Sequence, residues 1–185
     1  MRIISVRRFP AVYFLLVVVS ICVGCSANTT PTTPSALVAE SPSAASSTAD
    51  VAADLAAVRR AVARFHNIDE ALAAGYRIEG EPCVPGMGYH AVNLGLVLDP
   101  AIDPLQPEVL VYAQLPSGGY RLVAVEYLKF FGEGIPTPTL FGQTFDGPMP
   151  WHSPTMPVHW DLHVWLFAHN PDGIFAAVNP TQTCE

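Results

Sequence analysis

Met156-Pro-Val-His-Trp-Asp-Leu-His-Val-Trp-Leu-Phe167 is the stretch from which the fold can be read. It is bulky throughout and alternates with a period of two, the pattern of a mostly buried β-strand. Successive side chains on a strand point to opposite faces. Val158, Trp160, Leu162, Val164 and Leu166 therefore share one face and read as core. His159, Asp161 and His163 share the other, with Trp165 and Phe167 following them. Neighbouring members of that polar row stand about 7 Å apart along the strand.

A second strand carries an odd residue. Glu108-Val-Leu-Val-Tyr112 and Tyr120-Arg-Leu-Val-Ala-Val-Glu-Tyr127 are two strand patterns joined by the turn Leu115-Pro-Ser-Gly-Gly119. Glu126 stands at the C-terminal end of the second, after Leu122 and Ala124 on its face. In the stretch quoted first the polar residues come before the aromatic ones. Antiparallel pairing of these two strands would bring Glu126 to the histidines, and Leu122 and Ala124 to Trp165 and Phe167.

Two imidazoles and a carboxylate suit a divalent transition metal, zinc or copper foremost. His159, His163 and Glu126 are the expected ligands, with His90 a fourth delivered by the loop Pro85-Gly-Met-Gly-Tyr-His90. Asp161 would orient a histidine from outside the ligand ring or act as a general base, and His152 would close the site from the adjacent loop. The same residues also fit a polar network without metal. His-x-x-x-His is a helical zinc spacing, but Pro157 and the alternation put it here on a strand. No Gly-x-Ser-x-Gly elbow and no phosphate loop is present.

The first 24 residues read as a lipoprotein-type signal peptide. Arg2, Arg7 and Arg8 precede an apolar run of 13 residues, Ala11 to Val23, too short to span a bilayer. Cys22-Val-Gly-Cys25 resembles the lipobox of bacterial lipoproteins, which implies acylation of Cys25. Ordinary cleavage after Ala27 is the other reading. Export would remove three of nine basic residues, leaving six against 16 acidic ones and a formal charge near −10. Such a surface repels phosphate backbones and excludes nucleic acid as a partner class. The expected location is the outer side of the cytoplasmic membrane, the periplasm or the cell surface, with the membrane as partner through the lipid on Cys25.

Cys83 and Cys184 are then an even pair in an oxidising compartment, and a disulfide between them is expected. Two free thiols or metal ligands are the alternatives. Residues 25–49, rich in Ser, Thr, Pro and Ala, read as a disordered tether. From Asp50 onward Val51, Leu55, Val58, Val62 and Phe65 form a helical stripe that Asp50 would cap, and Asn67 opens a second short helix that Gly75 ends. Residues 132–150 read as a long irregular segment held by Phe141 and Phe145, and residues 174–178 as a last strand.

The motifs Pro85-Gly-Met-Gly-Tyr-His90, Leu122-Val-Ala-Val-Glu-Tyr127, Met156 to Trp165 and Asn170-Pro-Asp-Gly173 together resemble a group of uncharacterised bacterial exported proteins or lipoproteins, over roughly residues 53–184. That resemblance implies a single exported domain and no particular activity. The expected fold is α+β over residues 50–185, with two N-terminal helices packed on a small antiparallel sheet. The expected function is an envelope metal- or small-ligand-binding module. A metal-dependent, hydrolase-like enzyme and an interaction domain without chemistry are the competing readings.

Overall fold

Five antiparallel strands make the frame, in the order β1-β2-β3-β7-β6. They are β1 (Tyr89–Val92), β2 (Val109–Gln114), β3 (Tyr120–Phe130), β6 (Asp146–Met149) and β7 (His159–Val164). The computed structural model describes residues 47–78, 83–150 and 157–184. The expected signal peptide, Cys25, the expected tether up to residue 46 and His152 lie outside the described residues. Among those described, no helix is long and apolar enough to cross a membrane.

The chain is α+β. Helix α1 (Thr48–Val62) passes through a 3-10 turn (Ala63–His66) into α2 (Ile68–Ala73). A third, single-turn helix, α3 (Leu94–Val97), was not expected from the sequence. Ser47, not Asp50, caps α1. Its hydroxyl accepts from the Asp50 amide, while the Asp50 carboxylate accepts from the Ser47 amide, a capping box that satisfies donors at both ends of the first turn. The helix therefore starts inside the stretch read as tether. Asn67 caps α2 through the Asp69 amide, and Gly75 leaves it at φ +97°, a conformation open to glycine at little cost.

The two sheet faces do different things. Leu110, Tyr112, Leu122, Val125, Tyr127, Trp160, Leu162 and Val164 share one buried cluster with Val58 and Val62 of α1, Phe65 of the 3-10 turn and Ala71 of α2. The Tyr112 hydroxyl donates to the Phe65 carbonyl at 2.7 Å, fixing that turn against the sheet. The other face carries two smaller apolar groups. Val111, Val123, Ala124 and Trp165 form one, and Val97, Val109 and Leu128 the other. The polar row of β7 shares this second face.

One irregularity corrects the sequence reading. Val111 pairs with Ala124 but Tyr112 pairs with Leu122, so Val123 is a bulge. A bulge adds one residue to one strand and reverses the facing of what lies beyond it. Leu122 therefore belongs to the main core, and Val123 takes its place beside Ala124 and Trp165. Phe167 also leaves the polar face. It lies past the end of β7, its amide donates to the Val123 carbonyl, and its ring meets His66 at 4.5 Å.

Residues 132–150 are less irregular than expected. Thr139–Leu140 (β4) and Gln143–Thr144 (β5) form a small hairpin whose two loop residues, Phe141 and Gly142, both have positive φ. That is the backbone a two-residue hairpin favours. Burial of the Phe141 ring edge-on to Tyr127 offsets the cost of a non-glycine residue there. Residues 174–178 form no strand; they return as turns, with the Trp165 amide donating to the Ile174 carbonyl.

Lys129 is the unexpected charge in the longest strand. It is nearly buried, and its ammonium donates to Glu108 at 2.7 Å and to the Asp99 carbonyl at 2.7 Å. Burial pushes the Glu108 carboxyl above its ordinary range, against the pull of Lys129. Removing one member of such a pair leaves an uncompensated buried charge. Lys129→Met should lower unfolding stability in urea by about 3–5 kcal/mol, and Lys129→Met with Glu108→Gln should recover most of it. A Lys129→Met domain as stable as the wild type would contradict this.

Candidate metal centre

Strands β3 and β7 pair antiparallel with Glu126 and His163 as direct Cα partners. Both strands are interior to the sheet; Glu126 has ladder partners on both sides, Val109 and His163, while the β6 pairing of β7 reaches only to Asp161. His90 comes from farther away. It lies on the edge strand β1, opposite Val111, which in turn pairs with Ala124, so its backbone is offset from that of Glu126 by two strand spacings and two residues, about 12 Å. The short Val111 and Ala124 side chains lie along that gap, and the two long side chains meet over β2.

The meeting is close. The Oε2 atom of Glu126 lies 3.4 Å from Nε2 of His90 and 3.6 Å from Nε2 of His163. The three side chains offer one ligand atom each, all within 4.8 Å of one another. Hydrogen bonds between nitrogen and oxygen run at about 2.7–3.2 Å, and Glu126 Oε2 has no hydrogen-bond partner among the described residues. Ligand atoms about 2.0–2.2 Å from a tetrahedral metal stand about 3.3–3.6 Å apart. The two carboxylate–imidazole separations match that edge.

The surroundings hold the rings in place. Trp165 lies nearly parallel to His163, with centroids 6.1 Å apart and planes 16° apart, and its indole N–H donates to the Ala176 carbonyl at 2.7 Å. The His90 and His163 rings are close to perpendicular, at 87° and 6.0 Å. The apolar groups around Val111 and Trp165 on one side, and Val109 and Leu128 on the other, flank Glu126 along β3. Side-chain exposure is 1% for His163 and 3% for Glu126, but 13% for His90. The centre opens on the His90 side.

Charge favours a cation here. Burial, followed by repulsion from Asp161 and then Glu108, pushes the Glu126 carboxyl well above its ordinary value. A divalent ion would stabilise the carboxylate that burial penalises, and binding would release the proton.

His159 does not join this cluster. It is buried on the same face, but four residues along a strand is about 13 Å, while two ligands of one zinc ion stand only about 3.3–3.6 Å apart. His159 instead has Nε2 3.8 Å from Oδ2 of Asp161 and Nδ1 2.9 Å from the Pro157 carbonyl. Asp161, expected to orient a ligand histidine, thus stands beside His159 and acts on Glu126 through its charge. Cys83 and Cys184 form the disulfide, with Cα atoms 5.6 Å apart, and so are not metal ligands.

The sequence reading singled out neither the Trp165–His163 stack nor the Glu108–Lys129 pair. A lysine near the end of a long apolar strand was the available signal for the second. The stack depends on the path of the tail, which carries no local pattern. No known protein family, curated protein or solved structure matches the chain.

Glu126 makes a prediction about the metal-free domain. Its folded pKa is raised above its unfolded value, so its charge penalises the fold as pH rises above about 4.5 and not below. Glu126→Gln should therefore melt higher than the wild type at neutral pH with a chelator present. That advantage should shrink as the pH falls towards 4. Thermal melts across the pH range check it, and an advantage that grew on acidification would contradict the assignment.

Proposed function

We propose that this domain is a divalent-metal-binding module of an exported protein, lipid-anchored through Cys25, with His90, Glu126 and His163 as ligands and zinc or copper as the ion. The observation that carries the reading is the placement of one buried carboxylate oxygen at ligand-edge distance from two imidazole nitrogens. A disulfide in the same domain fits an oxidising compartment. The two N-terminal helices serve as the layer that closes the opposite face of the sheet, leaving the second face to the metal. The resemblance to bacterial exported proteins agrees with this location and adds no activity.

Three protein ligands favour a second reading of the same centre. Zinc sites with two histidines and a glutamate keep a fourth position for water or substrate, and here the more exposed ligand, His90, marks the side from which either would enter. In the enzyme reading a bound metal would supply an activated water, and Asp161, two residues from the ligand His163, would move its proton. The binding reading requires only the ion.

Calorimetric titration of the metal-free mature domain with Zn²⁺ tests the shared core of both. One equivalent should bind, and at about 100 times the dissociation constant the ion should stabilise the fold by about 2.7 kcal/mol. His163→Ala should abolish both effects while His159→Ala leaves the stoichiometry unchanged. Absence of stoichiometric binding, or equal loss from either histidine, would overturn the assignment.

A further inference from the structure

Of the three ligands, His90 alone sits on an edge strand. Glu126 and His163 lie on interior strands, whereas β1 has four residues, paired with β2 and bridged on its outer side only at Val92, to Arg77. What enters β1 is a tight turn. Val84 and Gly88 form an antiparallel bridge, with Val84 N–H donating to the Gly88 carbonyl at 2.9 Å and Gly88 N–H to the Val84 carbonyl at 2.8 Å. Gly88, two residues before the ligand, has φ +93°, and a Cβ there would stand 2.6 Å from the Tyr112 carbonyl oxygen. The turn thus lies against the β2 backbone as only glycine allows.

The C-terminal tail holds the turn from outside. Gly86 N–H donates to the Gln182 carbonyl at 3.0 Å, and Asn179 N–H donates to the Gly86 carbonyl at 2.8 Å. A Cβ on Gly86 would meet Val178 at 2.5 Å, so turn and tail are in direct contact. The disulfide closes the arrangement one residue before the turn and two residues after Gln182. The tail is tied in its own right, since Asn170 donates to the Val178 carbonyl and Asn179 to the His169 carbonyl. Its other end carries Trp165, the ring stacked on His163. The tail therefore contacts one ligand, His163, and the turn that leads into a second, His90.

We infer that the Cys83–Cys184 bridge, acting through the Val84–Gly88 turn, is the positioning element that holds His90 in the metal centre. Metal affinity, and not stability alone, then depends on the bridge. The inference rests on the metal-binding reading above. Cys83 and Cys184 touch no metal; they act through His90. Outer partners that orient a metal ligand are worth about 10–100-fold in metal affinity, and the bridge belongs in that range.

Zinc affinity measured by competition with a chromophoric chelator tests this, using the wild type, Cys83→Ser/Cys184→Ser, His90→Ala and the triple variant. The bridge-less protein should bind Zn²⁺ about 10–100-fold more weakly, and the triple variant no more weakly than His90→Ala. The absorption spectrum of bound Co²⁺ in the bridge-less protein should approach that of His90→Ala. Should the bridge-less protein not fold, Gly86→Ala, which forces the turn off Val178 with the disulfide intact, is read in the same cycle. Unchanged affinity in a folded bridge-less or Gly86→Ala protein would overturn the inference. So would a loss that persists undiminished in the His90→Ala background. A wild type that binds no zinc would instead overturn the metal reading on which it rests.

Discussion

The pairing of Glu126 with His163 across β3 and β7 is the constraint on which the rest of the site depends. It places a carboxylate in the interior of a sheet, where burial makes its charge unfavourable. Such a group is tolerated when it is protonated or when a cation stands beside it. Two imidazole nitrogens at 3.4 and 3.6 Å leave room for that cation between them and the oxygen. A second buried carboxylate, Glu108 just before β2, answers the same problem differently, with the Lys129 ammonium at 2.7 Å. One domain thus holds one buried carboxylate with a built-in cation and another positioned to receive one from solution.

Each sheet face follows from that division. One face carries the large apolar cluster, to which Phe65 of the 3-10 turn contributes, and holds most of the buried apolar residues. The second face has two small apolar groups with the polar row between and beside them. The bulge at Val123 keeps these roles separate. It turns Leu122 into the main core while Ala124 and Glu126 stay on the second face. Without it, and with Ala124 and Glu126 in register, Leu122 would fall on the second face beyond Ala124 and be lost from the main core.

Much of this was legible in the sequence. The period-two pattern from Val158 to Val164 gave the correct facing of every residue in β7. The opposed order of polar and apolar residues on two strands led to the antiparallel pairing of Glu126 with the histidines. A glycine-punctuated loop led to His90. What failed did so for physical reasons. A bulge has no fixed sequence signal, so Leu122 was placed on the wrong face. His159 and His163 share a face, but strand spacing separates them by about 13 Å, and residue type outweighed that distance in the sequence reading. The tail from Trp165 to Cys184 is held by main-chain bonds to turns, which leave no periodicity. Its contacts with His163 and with the turn before His90 emerged only from the fold.

The fold therefore concentrates its unusual features on one small region: an edge strand entered through a glycine turn, a buried carboxylate and a stacked histidine. The most direct measurement is anomalous diffraction at the zinc edge from crystals of the zinc-loaded mature domain. The account predicts one strong peak about 2.0–2.2 Å from Glu126 Oε2 and from Nε2 of both His90 and His163. A peak seated instead between His159 and Asp161, or no ordered peak at this face, would contradict it.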